Sequence, residues 1–344
     1  MKVGLVYDPI YLKHDTGQHV ENARRLEAII SHLEQTGLKP QLTPIKPRPA
    51  TVEELSPVHH EQYISYIQEV AQKGGGWLDA DTVMSPNSYD AALYAAGGVI
   101  KATEAVMNGE VGSAFALVRP PGHHATPQRA MGFCLFNNVA IAAKYALAGY
   151  GLERILIIDF DVHHGNGTQE AFYDNPQVLY VSTHLYPFYP GTGNIDETGG
   201  GEAKGTTLNI PLPSSCGDAE YEQVFAQIIM PAAKRFKPQL ILVSAGYDPH
   251  WTDELALMQV SVSGFARMVK IIKELADKLC NGRLVFSLEG GYNLAALAAS
   301  VKATFDVLLG ETDIEDRLGP PPHRIAVPDL TQLIKAIKEI HALL

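Results

Sequence analysis

The chain reads as an α/β protein, a single domain over residues 1–344 with a mainly parallel, twisted sheet flanked by helices on both faces. Three observations predict this. Short apolar runs alternate with helical patterns along the whole chain. No composition shift or internal repeat marks a boundary between domains. The motifs that carry polar chemistry fall where apolar runs end, the usual place for a site in an open α/β sheet.

The predicted strands are Val3–Tyr7, Phe115–Val118, Ile155–Ile158, Leu179–Ser182, Thr207–Ile210, Leu240–Ser244 and Leu284–Leu288. Most are continuous apolar runs rather than alternating ones, as expected of strands buried on both faces. The predicted helices are Ala23–Thr36, His60–Lys73, Tyr89–Asn108, Asn138–Ala148, Tyr221–Phe236, Ser263–Lys278, Leu294–Leu309 and Leu330–Leu344.

Composition narrows the function. Apolar content of 46% and charged content of 19% describe a globular chain with a large core. The 27 Lys and Arg against 38 Asp and Glu leave a formal net charge of −11. That disfavours a protein gripping nucleic acid or an anionic membrane through its surface. No apolar stretch is long enough to span a bilayer, and Met1–Asp8 lacks the basic region and long apolar core of a signal peptide. Cys134, Cys216 and Cys280 are odd in number and far apart, which suggests a reducing compartment, with Cys134 a buried small hydrophobe. A cytoplasmic location is expected; nothing in the chain sets its oligomeric state.

The chemistry concentrates after the run Ile155–Ile158. Asp159, Asp161 and His163 alternate to one side where that strand ends, followed by a Gly165-Asn166-Gly167 loop. Two carboxylates and an imidazole crowded there suit the ligands and supporting shell of a divalent metal. His123-His124 follow the turn Pro120-Pro121-Gly122 after another strand, Asp248 follows a third, and Tyr292 a fourth. Taken alone, Asp248 before Pro249 reads better as a turn or cap residue, and paired histidines such as His59-His60 read better as fillers.

Six segments in order resemble the histone deacetylase and acetylpolyamine amidohydrolase superfamily. They are Arg119–His124, Met131–Asn138, Ile157–Thr168, Tyr189–Gly193, Ser244–Asp248 and Glu289–Asn293. The resemblance implies an arginase-like fold and a metal-dependent deacetylase. Asp161, His163 and Asp248 would hold one zinc, with ferrous iron as the alternative metal. His123 and His124 would form the catalytic pair, oriented by Asp159 and Asn166 respectively. A carboxylate partner favours an imidazolium, so His124 is the expected general base. Asn166 itself resembles the class II-type branch of the family.

By the same resemblance, Tyr292 donates to the oxyanion, Phe133 and Tyr189 line a slender channel, and Gly132 accepts a substrate N–H. Arg25 resembles an arginine beside the acetate-exit cavity, with Arg24 the competing assignment. Leu255 stands where polyamine-selective members often carry Glu, with Glu254 one residue away. A structural potassium ion is expected near Asp159, Asp161, His163 and Ser182. The implied substrate is an acetylated lysine side chain; an acetylated polyamine or other small N-acetylated amine is the alternative. A dinuclear ureohydrolase is disfavoured, because Gly165 and His250 stand where its extra aspartates belong. A non-catalytic acetyl-lysine binder is disfavoured because it would need neither base nor oxyanion donor. His250-Trp251 has no family counterpart and no assigned role.

Overall fold

A computed structural model describes residues 2–323, 325–326 and 329–343. Met1 and Leu344, the ends of the predicted domain and of its last predicted helix, lie outside them.

The strands are β1 (Val3–Val6), β2 (Thr43–Ile45), β3 (Gly76–Trp77), β4 (Val83–Met84), β5 (Ser113–Ala116), β6 (Ile155–Asp159), β7 (Val178–Leu185), β8 (Thr207–Leu212), β9 (Leu240–Ala245) and β10 (Leu284–Leu288). Eight of them form one sheet in the order β2-β1-β5-β10-β9-β6-β7-β8, each neighbouring pair parallel. β3 and β4 pair antiparallel as a separate hairpin. Every residue of β1, β5, β6, β7, β9 and β10 is buried. This is the environment their continuous apolar runs demand.

The helices are α1 (Arg24–Gln35), α2 (Val52–Leu55), α3 (Glu61–Gln72), α4 (Ser88–Met107), α5 (Asn138–Tyr150), α6 (Asn166–Phe172), α7 (Asp218–Val224), α8 (Met230–Phe236), α9 (Val262–Leu279), α10 (Leu294–Leu309) and α11 (Thr331–Ile340). α10 packs against both α1 and α9, and α4 against both α3 and α5. These two layers sandwich the sheet, so the predicted single α/β architecture is the one observed.

Four local readings differ. The predicted helix Tyr221–Phe236 is one helical run interrupted by a π turn at Phe225–Ile229. Pro231 comes two residues after the turn ends; it has no N–H to donate, and the wider turn accommodates the missing bond. β5 begins two residues earlier than expected and leaves Leu117 and Val118 to the following loop. β2 has no strand signature in the sequence because it is a three-residue edge strand containing Pro44, which an edge tolerates. The Gly165-Asn166-Gly167 loop is partly helix: α6 starts at Asn166, and Gln169 N–H bonds the carbonyl of Gly165 at 3.0 Å.

The topology positions the site. β5, β10, β9 and β6 are consecutive in the sheet, with Asp159 in register with Ser244 and Ser287 with Ala116. The four chemistry-bearing segments leave the carboxyl ends of these four neighbours. Residues from 123 to 292 therefore meet over the middle of the sheet.

Candidate metal-dependent active site

Three donors converge first. One ligand atom each from Asp161, His163 and Asp248 lies within 4.8 Å of the others. His163 Nδ1 is 3.1 Å from Asp161 Oδ1 and 3.3 Å from Asp248 Oδ2. The carboxylates are fixed from behind. Gly290 N–H donates to Asp161 Oδ2 at 2.8 Å, and Val162 N–H donates to Asp248 Oδ1 at 2.9 Å. Asp248 Oδ2 is buried with no hydrogen-bond partner among the described residues.

The charges show what this arrangement asks for. Burial opposes a charged His163, yet the two carboxylates outweigh it and lift its pKa to about 10. Burial together with the Asp161 charge pushes Asp248 up to about 7. Two buried carboxylates facing one imidazole, one carboxylate oxygen accepting no hydrogen bond, form an electron-rich donor set that suits a divalent cation. A second cation has no ligand at Gly165, where a Cβ would lie 2.2 Å from Asp159 Oδ2. The position has no room for the extra aspartate of a dinuclear centre.

The histidine pair stands beside these donors. His123 Nδ1 lies 3.0 Å from Asp159 Oδ2, which also accepts from the Tyr180 hydroxyl at 3.1 Å. His124 Nδ1 lies 2.9 Å from Asn166 Oδ1. The two rings are 4.0 Å apart, and their environments drive them in opposite directions. For His123, burial lowers the pKa but Asp159 and Asp161 win, raising it to about 10. For His124, burial and the neighbouring His123 and His163 charges push it well below the usual histidine value. One imidazole holds its proton, and the other is kept free to accept one.

Tyr292 closes the group. Its ring faces the Arg25 guanidinium at 5.0 Å and meets Phe133 edge-on at 5.8 Å. Burial raises its pKa well above 10, so the phenol keeps its O–H to donate. Arg25 is fully buried, whereas Arg24 is exposed. Arg25 Nε donates to Gly291 O at 2.7 Å and Nη2 to Glu289 O at 2.5 Å, clasping the backbone on either side of Gly290.

Of the expected channel residues, Tyr189 and Gly132 lie against His124, and Phe133 against Tyr292. Tyr189 meets His124 edge-on at 5.2 Å, and Phe133 packs against His19 at 4.5 Å. Phe133 has a φ of 70°, a conformation that costs a non-glycine residue energy and recurs at functional sites. Gly132 lies beneath His124; a Cβ there would fall 2.3 Å from His124 Cδ2. Leu255 is half-buried, its N–H bonded to Asp253 Oδ1 at 3.0 Å, and Glu254 is exposed. Ser182, expected near a potassium ion, bonds His184 Nδ1 through its hydroxyl at 2.9 Å.

Several supporting residues have roles that the sequence does not show. Glu289 Oε2 accepts the N–H groups of Gly122 at 2.6 Å and His123 at 3.2 Å. Burial raises its pKa to about 7. Glu21 pairs with Arg25 at 3.1 Å and with Arg119 Nη2 at 2.8 Å, all three fully buried. Burial opposes its charge, but the two guanidiniums hold it well below the carboxylate range. Phe188 stacks on the metal-donor ring of His163 at 5.5 Å. Proximity in sequence points to three of them: Glu289 and Arg119 open the motifs Glu289–Asn293 and Arg119–His124, and Phe188 adjoins Tyr189.

The chain matches the histone deacetylase domain over residues 19–308. It is 42% identical over 351 residues to histone deacetylase 14, chloroplastic, of Arabidopsis thaliana, covering 96% of this chain and 83% of that protein. A probable deacetylase of Archaeoglobus fulgidus is 44% identical over 297 residues, covering 86% of this chain and 82% of that protein. Among solved structures, the crystal structure of the HDA15 HD domain superposes with a TM-score of 0.89 at 36% identity. The match spans 99% of this chain and 94% of that one. With a deacetylase domain over most of its length and a paired-histidine site beside three metal donors, the chain belongs to the histone deacetylase family and is a deacetylase, a hydrolase of amide bonds.

Proposed function

We propose that the enzyme removes acetyl groups from acetylated lysine side chains, with zinc held by Asp161, His163 and Asp248. The observation that carries the mechanism is the opposed charging of two adjacent imidazoles beside that donor set. Bound there, zinc supplies Lewis acidity to the amide carbonyl and acidifies a water.

The protein's own residues do the rest. With Nδ1–H given to Asn166 Oδ1, His124 keeps its Nε2 lone pair for the proton of the attacking water. The same proton is then delivered to the departing amine, giving acetate and a free amine. His123, backed by Asp159, keeps a positive charge beside the forming oxyanion, and Tyr292 donates its O–H to that oxygen. Phe133 and Tyr189 suit an unbranched alkyl arm. Leu255 at the rim, with Glu254 exposed to solvent, argues for the neutral arm of acetyl-lysine over a cationic polyamine.

The test is hydrolysis of matched N-acetyl-lysine peptides and N-acetylated polyamines by zinc-loaded enzyme, beside Tyr292→Phe. Peptide turnover is expected, with a loss of ~10²–10³ in kcat for the variant. Preference for the polyamines would overturn the substrate reading, and undiminished turnover by Tyr292→Phe would overturn the oxyanion donor.

A further inference from the structure

Asp253 lies between the metal donor Asp248 and the rim residue Leu255, and the chemistry above gives it no part. Its carboxylate is buried, with a relative exposure of 5%. Oδ2 accepts the backbone N–H of Tyr292 at 2.6 Å and that of Asn293 at 3.1 Å. Oδ1 accepts the N–H of Leu255 at 3.0 Å. One carboxylate therefore grips the Tyr292 backbone with one oxygen and the backbone of Leu255, the expected rim residue, with the other.

The surroundings make this grip stiff. Asn293 caps α10 by accepting Ala296 N–H at 3.1 Å, and its Nδ2 donates to Thr252 O at 3.3 Å. Tyr292 and Asn293 thus present their N–H groups at the positive end of a sixteen-residue helix, where a carboxylate is favoured. Bonds from N–H to a carboxylate are about twice as strong as neutral ones. The Asp253 loop is in turn mounted on the segment beyond α10. Trp251 Nε1 donates to Gly319 O at 2.9 Å, and Gln259 exchanges two bonds with the Ile325 backbone at 2.9 and 3.0 Å. This gives Trp251 a mechanical role in holding the loop.

We propose that Asp253 is a positioning residue of the deacetylation reaction, holding the Tyr292 hydroxyl and the Leu255 rim as one unit. Oxyanion donation and selectivity for the amine arm are then set by the same carboxylate. The inference rests on the reading of Tyr292 as oxyanion donor, and it makes a specific demand: Asp253 must act through Tyr292.

A double-mutant cycle tests it with zinc-loaded enzyme. kcat and KM are measured on an acetyl-lysine peptide and an N-acetylated diamine for Asp253→Ala, Asp253→Asn, Tyr292→Phe and the doubles. A misplaced donor is expected to cost ~10- to 100-fold in kcat for Asp253→Ala. In the Tyr292→Phe background the same change should cost less than about threefold, because interacting residues are not additive. The peptide-to-diamine ratio of kcat/KM should shift as the rim loosens. Asp253→Asn keeps one acceptor oxygen and should recover part of kcat. Zinc content and melting temperature are followed throughout, and if Asp253→Ala does not fold, Asp253→Asn carries the cycle. Equal losses in both backgrounds, or an unchanged substrate ratio, overturn the proposal. If Tyr292→Phe alone retains full kcat, it is the oxyanion reading that has failed.

Discussion

At the scale of single residues, identical letters take opposite roles according to what stands behind them. His59-His60 and His123-His124 are both adjacent histidine pairs. His59 is fully buried and uses both nitrogens on backbone: Nδ1 to Thr126 O at 2.9 Å, and Nε2 accepting Asn137 N–H at 2.8 Å. That pattern requires a neutral ring, and burial lowers its pKa to about 3. The sign follows directly. The unfolded chain takes up the proton near pH 6.5 and the folded chain does not, so this group costs stability as pH falls through that window. Replacing His59 with Gln should therefore flatten the stability–pH curve below pH 6.5, by up to about 1.4 kcal/mol per pH unit. Denaturant midpoints of both proteins at pH 7.5, 6 and 5 measure it, and parallel curves would refute it. His60, by contrast, is exposed and merely precedes α3. No feature of either pair alone separates filler from catalyst; the separation comes from Asp159, Asn166 and the metal donors.

At the scale of elements, periodicity identified the buried strands and long helices because their burial is set by their own residues. It failed where a neighbour decides. α6 starts in a Gly-Asn-Gly sequence that favours a turn, and β2 is defined only by its pairing with β1. α4 shows the same dependence in energetic form. Gly97 sits mid-helix, where Ala has the better propensity by about 1 kcal/mol. The segment 48–50 crosses the helix there, and a Cβ on residue 97 would lie 1.9 Å from Arg48 O. Forcing that backbone aside costs about 1–3 kcal/mol. Gly97→Ala should thus destabilise the protein despite its helix preference, seen as a lower denaturant midpoint; a raised midpoint would show that the crossing segment yields freely.

At the scale of the whole molecule, the parallel sheet gathers four loops into one site, and its donor set, from the loops after β6 and β9, is one that the protein alone leaves electrostatically unsatisfied. A ligand that binds only the folded state stabilises it by mass action, about 2.7 kcal/mol at one hundred times its Kd. Zinc should raise the melting temperature of metal-stripped protein by several degrees, and a chelator should reverse the shift. Asp248→Asn should weaken the response strongly, since it removes one of the two carboxylates of the set. A zinc-dependent rise of equal size in that variant would place the metal elsewhere.

The sequence by itself determined the α/β class, the order of the buried strands and long helices, and the residues able to do chemistry. Apolar spacing and side-chain type are local properties, and the deacetylase motifs carry their residues in contiguous groups. Only the tertiary structure decided which carboxylates hold the machinery in place. Glu289 reaches the His123 backbone across 166 residues, and Asp253 reaches Tyr292 across 39. Both act by accepting backbone N–H groups, which every residue but proline offers, so nothing in the partner's identity betrays the bond. Arg25 was separated from Arg24 in the same way, by the face of α1 that turns inward onto Glu21 and Gly291. Such contacts exist only once the crossovers have set β5, β10, β9 and β6 side by side.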